Sequence, residues 1–255
     1  MLMKIMHRLE YRSTQIHAET RIMEFSNPPS FQKISAVLLG FVTLLFSTQI
    51  FAQDLAVVYD KDGYTNVRKS ASATSSVIGK IKEGQVFCIS PFSDDLKRTD
   101  WYSVWFPINP LAGGDAYIKS EKIHQGGFVH KSRVTLLSDL QELDSETLNS
   151  ERNVFRNDEI EIVVSVESNK PLDNIKSRNQ LKSITLKNKS GFYQLPKSAI
   201  NKLYEINLDQ TKVYIGKERE VYIVTNNADS SDSYQAIWCI KNNKLFSMTV
   251  MQTIP

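Results

Sequence analysis

"DGYTNVRKSASATSSVIGKIKEGQVF", residues 62–87, contains a turn, two short β-prone runs and a second turn in sequence. Asp62 and Gly63 are turn formers, and "YTNVR" after them carries the β-branched and aromatic residues that suit a strand. The polar stretch Ser70 to Ser76 reads as a loop and "VIGKI" as the returning strand. "KEG" then predicts a tight hairpin in which Gly84 takes the positive φ that other residues resist. Outward from this stretch the same rhythm continues. "LAVVY" (55–59) precedes it, "QVFCIS" (85–90) and the aromatic-rich "DWYSVWF" (100–106) follow, Pro107 to Gly114 forms a long loop, and "GGFVHKSRVTLL" (126–137) closes the unit. Residues 54–137 are therefore expected to form a small antiparallel β-barrel.

The order of these elements resembles the bacterial SH3-like domain of exported and cell-wall-associated proteins. The resemblance rests on Asn66-Val67-Arg68, the Ser/Thr/Ala-rich loop Ser70 to Ser76, Val77-Ile78-Gly79, Lys82-Glu83-Gly84, the Trp101 to Phe106 strand, and Gly127-Phe128-Val129-His130. It covers about a third of the chain. The stretch from Pro107 to Gln125 departs from it, since the family has a much shorter turn there. The resemblance implies a binding module for peptidoglycan stems or for a protein partner.

Residues 138–158, "SDLQELDSETLNSERNVFRND", are polar, with Leu140, Leu143 and Leu148 at a loose helical spacing, and read as a linker with a short helix. A second β-rich unit spans 159–255. In "EIEIVVSV" (159–166) Ile160, Ile162, Val164 and Val166 alternate with other residues, as a half-buried strand requires. "LKSITLKN" (181–188) is another strand. "LPKSAINKLYEI" (195–206) places Ile200, Leu203 and Tyr204 at helical spacing after Pro196, which predicts a short amphipathic helix. "KVYIG", "EVYIVTN", "YQAIWCI" and "LFSMTVM" complete a meander, with Asn242-Asn243 as a two-residue hairpin turn. This block is similar to uncharacterised domains that follow SH3-like modules. The expected fold class is mainly β: an SH3-like barrel plus a β-rich α+β meander with one short helix.

Residues 34–52, "ISAVLLGFVTLLFSTQIFA", form an uncharged apolar run after Lys33 that ends on the small Ala52. This is the layout of a secretory signal peptide cleaved after Ala52. A retained anchor is the competing reading, but the densest apolar core, Ala36 to Phe46, is shorter than the ~20 residues a spanning helix needs. Residues 1–32 are long for a basic signal end, and Met23 offers a conventional start. Removal of residues 1–52 takes away five of the 31 Lys/Arg and three of the 28 Asp/Glu, leaving 26 against 25. No basic excess then remains to attract nucleic acid. The expected address is periplasmic or secreted, with no membrane insertion after cleavage.

The two cysteines, Cys88 and Cys239, sit in apolar runs and read as small buried residues. A disulfide stapling the two units is the alternative that export would permit. After residue 52 the histidines are His124 and His130, without H-E-x-x-H or C-x-x-C, so no metal or cofactor is expected. Catalytic thiolates need a partly exposed, electropositive setting that neither cysteine run offers. No G-x-S-x-G occurs, and the glycine pairs at 113–114 and 126–127 read as loop glycines. Glu159 with Glu161, and Asp94 with Asp95, read as a solvated strand face and a turn.

The aromatics remain. On "WYSVWF", Trp101, Ser103 and Trp105 face one way and Tyr102, Val104 and Phe106 the other; one set builds the core and the other is open to a ligand. Tyr64, Trp101 and Tyr102 are the preferred exposed set. Arg68 either clamps a ligand carboxylate or pins the loop after it through backbone carbonyls, the latter being favoured. The expectation is an exported non-enzymatic protein whose SH3-like module binds a cell-wall peptide or an envelope protein through Tyr64, Arg68, Trp101 and Tyr102. The alternative is an exported immunity or inhibitor protein that blocks a partner enzyme or toxin.

Overall fold

A computed structural model describes residues 54–90, 99–108, 124–168, 179–227 and 233–252. The expected signal segment, Asp94-Asp95 and most of the Pro107 to Gln125 excursion lie outside the described residues.

The N-terminal strands are β1 (Leu55–Val58), β2 (Tyr64–Arg68), β3 (Val77–Lys82), β4 (Phe87–Ile89), β5 (Trp101–Pro107), β6 (His124–His130) and β7 (Val134–Leu136). They form one antiparallel sheet in the order β3-β2-β6-β5-β4-β1-β7. The turns lie where the glycines predicted them: Gly63 has φ 71° and Gly84 φ 74°. Val67, Ile81, Phe87, Val104, Phe106 and Val129, drawn from five of the strands, meet in one buried cluster. Gly126 and Gly127, expected in a loop, instead lie within β6. Gly127 pairs with Val104, and a Cβ there would collide with Val67 Cγ1, so the close approach of β2 to β6 requires glycine.

The rest of the described chain builds two further antiparallel sheets. One takes β9 (Asp144–Asn149), β10 (Arg152–Arg156), β11 (Ile160–Ser168), β12 (Asn179–Asn188) and β13 (Gly191–Gln194) in the order β13-β12-β11-β10-β9. The other takes β8 (Gln141–Glu142), β14 (Ile206–Ile215), β15 (Val221–Asn227), β16 (Tyr234–Lys241) and β17 (Lys244–Gln252) in the order β17-β16-β15-β14-β8. Ile162, Val164, Ile184 and Leu186 of the first pack with Val213, Ile223, Trp238 and Val250 of the second in one core, the arrangement of a β-sandwich. Asn242 and Asn243 both adopt left-handed φ, 52° and 53°, in the tight turn between β16 and β17.

The second of these sheets is buried on both faces. Odd and even positions of β15 and β16 belong to different cores. Val221, Ile223, Ala236, Trp238 and Ile240 face the sandwich. Tyr222, Val224, Ile237 and Cys239 face Val57 and Cys88 of the N-terminal sheet, with Val86 and Leu137 from the turns beside it. Burial on both faces removes the polar alternation an antiparallel strand usually shows, which is why "VYIVT" and "AIWCI" are nearly unbroken apolar runs. The described residues thus form three layers around this sheet, and no helix among them is long and apolar enough to cross a membrane.

Two local expectations are corrected. Residues 138–158 carry no α-helix; after a 3-10 turn at Leu137–Asp139 they supply β8, β9 and the whole of β10. Leu140 and Leu143 are three apart, which puts them on opposite sides of an extended chain. Leu140 packs against the core shared with the N-terminal sheet, and Leu143 enters the sandwich. The amphipathic helix expected after Pro196 is a single 3-10 turn, Lys197–Ala199. Lys202 at φ 60° and Glu205 at φ 56° end any helical run, while Ile200 and Leu203 still plug the sandwich core.

Candidate functional site

Alternation along β5 decides which aromatics meet solvent. Val104 and Phe106 are buried and Tyr102 packs against the same core. Trp101, Ser103 and Trp105 point outward, and Trp105 is 51% exposed. The register sets Trp101 beside His130, Ser103 beside Phe128 and Trp105 beside Gly126. Arg68 of β2 lies opposite Phe128 on its other side. An aromatic stripe, Trp105, Phe128 and Trp101, therefore runs across the outward face of β5 and β6. The Trp101 and His130 rings meet edge to face at 5.2 Å and 85°.

The stripe ends at an open groove of ≈ 380 Å³ lined by Tyr64, Arg68, Trp101, His130 and Arg133 together with Asp60 and Asp62. Three of the four residues singled out in the sequence are thus brought together. Tyr102 is not: it is the neighbour of Trp101 and so points to the opposite face, where the Lys131 ammonium sits 5.2 Å from its ring centroid. Trp105 is the residue that the sequence reading left out of the exposed set.

The groove walls are held by local polar contacts. Arg68 Nη1 donates to Ser75 O at 2.6 Å, and Lys69 N donates to Ser76 O at 3.0 Å. The guanidinium thus pins the Ser70 to Ser76 loop, the role favoured for it. His130 Nδ1 accepts from Ser132 N at 3.3 Å and lies 2.8 Å from Ser132 Oγ, so the neutral ring carries its proton on Nε2. Arg133 forms an ion pair with Asp60, whose side chain is nearly buried and also accepts from Asp62 N. Lys80 Nζ sits 3.8 Å from the Tyr64 ring centroid.

A second polar cluster lies where the N-terminal sheet meets the central one. Lys241 Nζ bonds Glu218 at 2.8 Å, Glu83 at 3.3 Å and Glu220 at 3.4 Å. Hydrogen bonding to Glu218, then to Glu83, holds the lysine pKa above its ordinary value, and the same ammonium lowers that of Glu218. Glu220 is fully buried. Its Oε2 accepts from Glu218 N at 3.0 Å and from Tyr59 Oη at 3.5 Å. Gly216 has no room for a Cβ, which would strike Glu220, Tyr59 and Tyr222. The carboxylates of Glu83, Glu218 and Glu220 come close enough to share a cation, and the one they share is the Lys241 ammonium. The cluster locks two sheets together.

Cys88 and Cys239 lie buried as thiols in the core between these two sheets. Burial pushes both up to about 12, far from the range in which a thiolate nucleophile works.

In comparison with known proteins, the chain matches no protein-family model and shows no significant similarity to a curated protein.

Proposed function

We propose that this chain is an exported, non-enzymatic binding protein whose N-terminal sheet is an SH3-like module for an extended cell-wall peptide or a segment of an envelope protein. The observation that carries this reading is the convergence of Tyr64, Arg68 and Trp101 on one groove, continued by the outward Phe128 and Trp105. Exposed aromatic faces beside fixed polar groups suit an extended ligand, because the rings supply contact area at low entropic cost and the polar groups set its register. His130 Nε2–H and Tyr64 Oη are the polar groups available for that purpose, since Arg68 is committed in part to its own loop.

The test is co-sedimentation of the purified protein with insoluble peptidoglycan, together with crosslinking capture from envelope extracts. Binding to one of the two is expected, and Trp101→Ala/Trp105→Ala is expected to abolish it without loss of the folded state. Failure to bind either, or unchanged binding by the double variant, removes the proposal.

A further inference from the structure

The turns at one end of the sandwich enclose a second cleft, of ≈ 580 Å³, remote in sequence from the aromatic groove. Its floor is the open end of the core, where Ile160, Ile215 and Ile240 of three different strands meet. Its rim carries the exposed side chains of Lys189, Arg219 and Lys244, one from each of three hairpins. None of these three cations forms an ion pair with a described residue. Of the two rim carboxylates among the described residues, Glu218 is already held by Lys241, which leaves Glu159 against three positive charges.

Two further observations mark this end of the molecule. The rim is braced: Asn188 Nδ2 donates to Asn243 Oδ1 at 2.9 Å, tying the β12–β13 and β16–β17 turns together. The β14–β15 hairpin closes through Gly216 N to Glu220 O at 2.7 Å, and Arg219 within it has φ 65°. Hairpins of this length give the left-handed position to glycine. Here a long basic side chain holds it against its own steric preference, and the residue faces the cleft.

From the apolar floor, the braced rim and the uncompensated charge, we infer that this cleft binds a small organic anion with an aliphatic body, the carboxylate at Arg219 and Lys244 and the hydrocarbon against Ile160, Ile215 and Ile240. A concave site of this size with few polar groups around an apolar base is the usual form of a small-molecule site. Charge complementarity commits it to an anion: a neutral ligand would leave all three cations without an ion pair to any described residue, whereas a carboxylate gains charge-assisted hydrogen bonds.

Hexanoate is the probe, titrated into the full chain and followed by amide chemical shifts and calorimetry, with hexanol and acetate as matched controls. Saturable binding is expected, with shifts at Ile160, Ile215, Arg219 and Lys244, and with each control binding about tenfold more weakly. Arg219→Gly removes the charge while suiting the backbone, so its Tm should equal or exceed that of the parent while hexanoate affinity falls about tenfold. Lys244→Gln should weaken binding in the same sense. Equal binding of hexanol and hexanoate, shifts confined to another surface, no saturable binding, or parental affinity in a well-folded Arg219→Gly would each overturn the inference.

Discussion

Strand β5 and the pair β15–β16 are built from similar material and put it to opposite use. "WYSVWFP" and "VYIVTNN" with "YQAIWCIK" are all rich in aromatic and β-branched residues. In β15 and β16 both faces are core, because a sheet packs on either side. In β5 Tyr102, Val104 and Phe106 pack into the core, and Trp101 and Trp105 are left facing outward. The side-chain period is the same in both. The number of layers over the strand decides whether its second row of aromatics is structural or available.

The comparison breaks most sharply at Trp238, which is fully buried and donates Nε1–H to Ala199 O at 2.9 Å. Trp238→Ala should cost about 4 kcal/mol in chemical denaturation, the range for large aromatic truncations in a core; a loss below ~1 kcal/mol would mean that the middle layer is not packed as described. Next is Lys241→Met, which leaves the fully buried Glu220 without its cation. A cost of about 3 kcal/mol is expected, relieved by adding Glu220→Gln, because the uncompensated charge is the source of the penalty. A double-mutant cycle with no coupling would contradict this.

Gly127→Ala sharpens the other side of the comparison, since its Cβ would meet Val67 under the outward face of β6. Overpacking there should lower stability by about 1–3 kcal/mol, measured by urea melts. Trp105→Ala is the smallest effect. With half its surface exposed, the ring should contribute less than ~0.5 kcal/mol to stability while its loss still weakens ligand capture. An equal stability loss at Trp105 and Trp238 would erase the distinction between the strands.

The thiols add a pH test of the same buried layer. Cys88 and Cys239 have an ordinary pKa of 9.0 and are held at about 12 in the folded protein. A group raised on folding contributes stability that is whole below its unfolded value and is lost as pH rises through the folded one. Denaturation midpoints should therefore fall between pH 9 and 12, and Cys239→Ala should shrink that fall. A midpoint flat across this window would show the thiols to be solvated.

Much of the β architecture was legible because the backbone demands particular residues at tight turns. Gly63, Gly84 and Asn242-Asn243 all take the left-handed conformation their types suggested. The alternation of Ile160, Ile162, Val164 and Val166 marked β11 correctly. The segment after Leu137 was misread because leucines three apart fit a helix and also fit a strand crossing between two cores. Along β5 both faces are apolar, so alternation divides the residues into two sets without saying which is inside, and Tyr102 was counted as exposed beside Trp101 although it shares the face of Val104 and Phe106. His130 entered the groove through its register with Trp101, a pairing across 29 positions that local pattern does not encode. The Lys241–Glu83 contact spans 158 positions and is still less visible in sequence.

The fully buried Glu220 and its neighbours also bear on mechanics. Tyr59 and Glu83 reach from the N-terminal sheet to Glu220, Tyr222 and Lys241 of the central sheet, and Ser247 Oγ donates to Gly84 O at 2.7 Å alongside. A pull on the N-terminal sheet would be passed through these contacts as shear along β15, β16 and β17 rather than taken up by a slack tether. Under tension the first event should then be sliding at this seam, with the sandwich behind it yielding only afterwards.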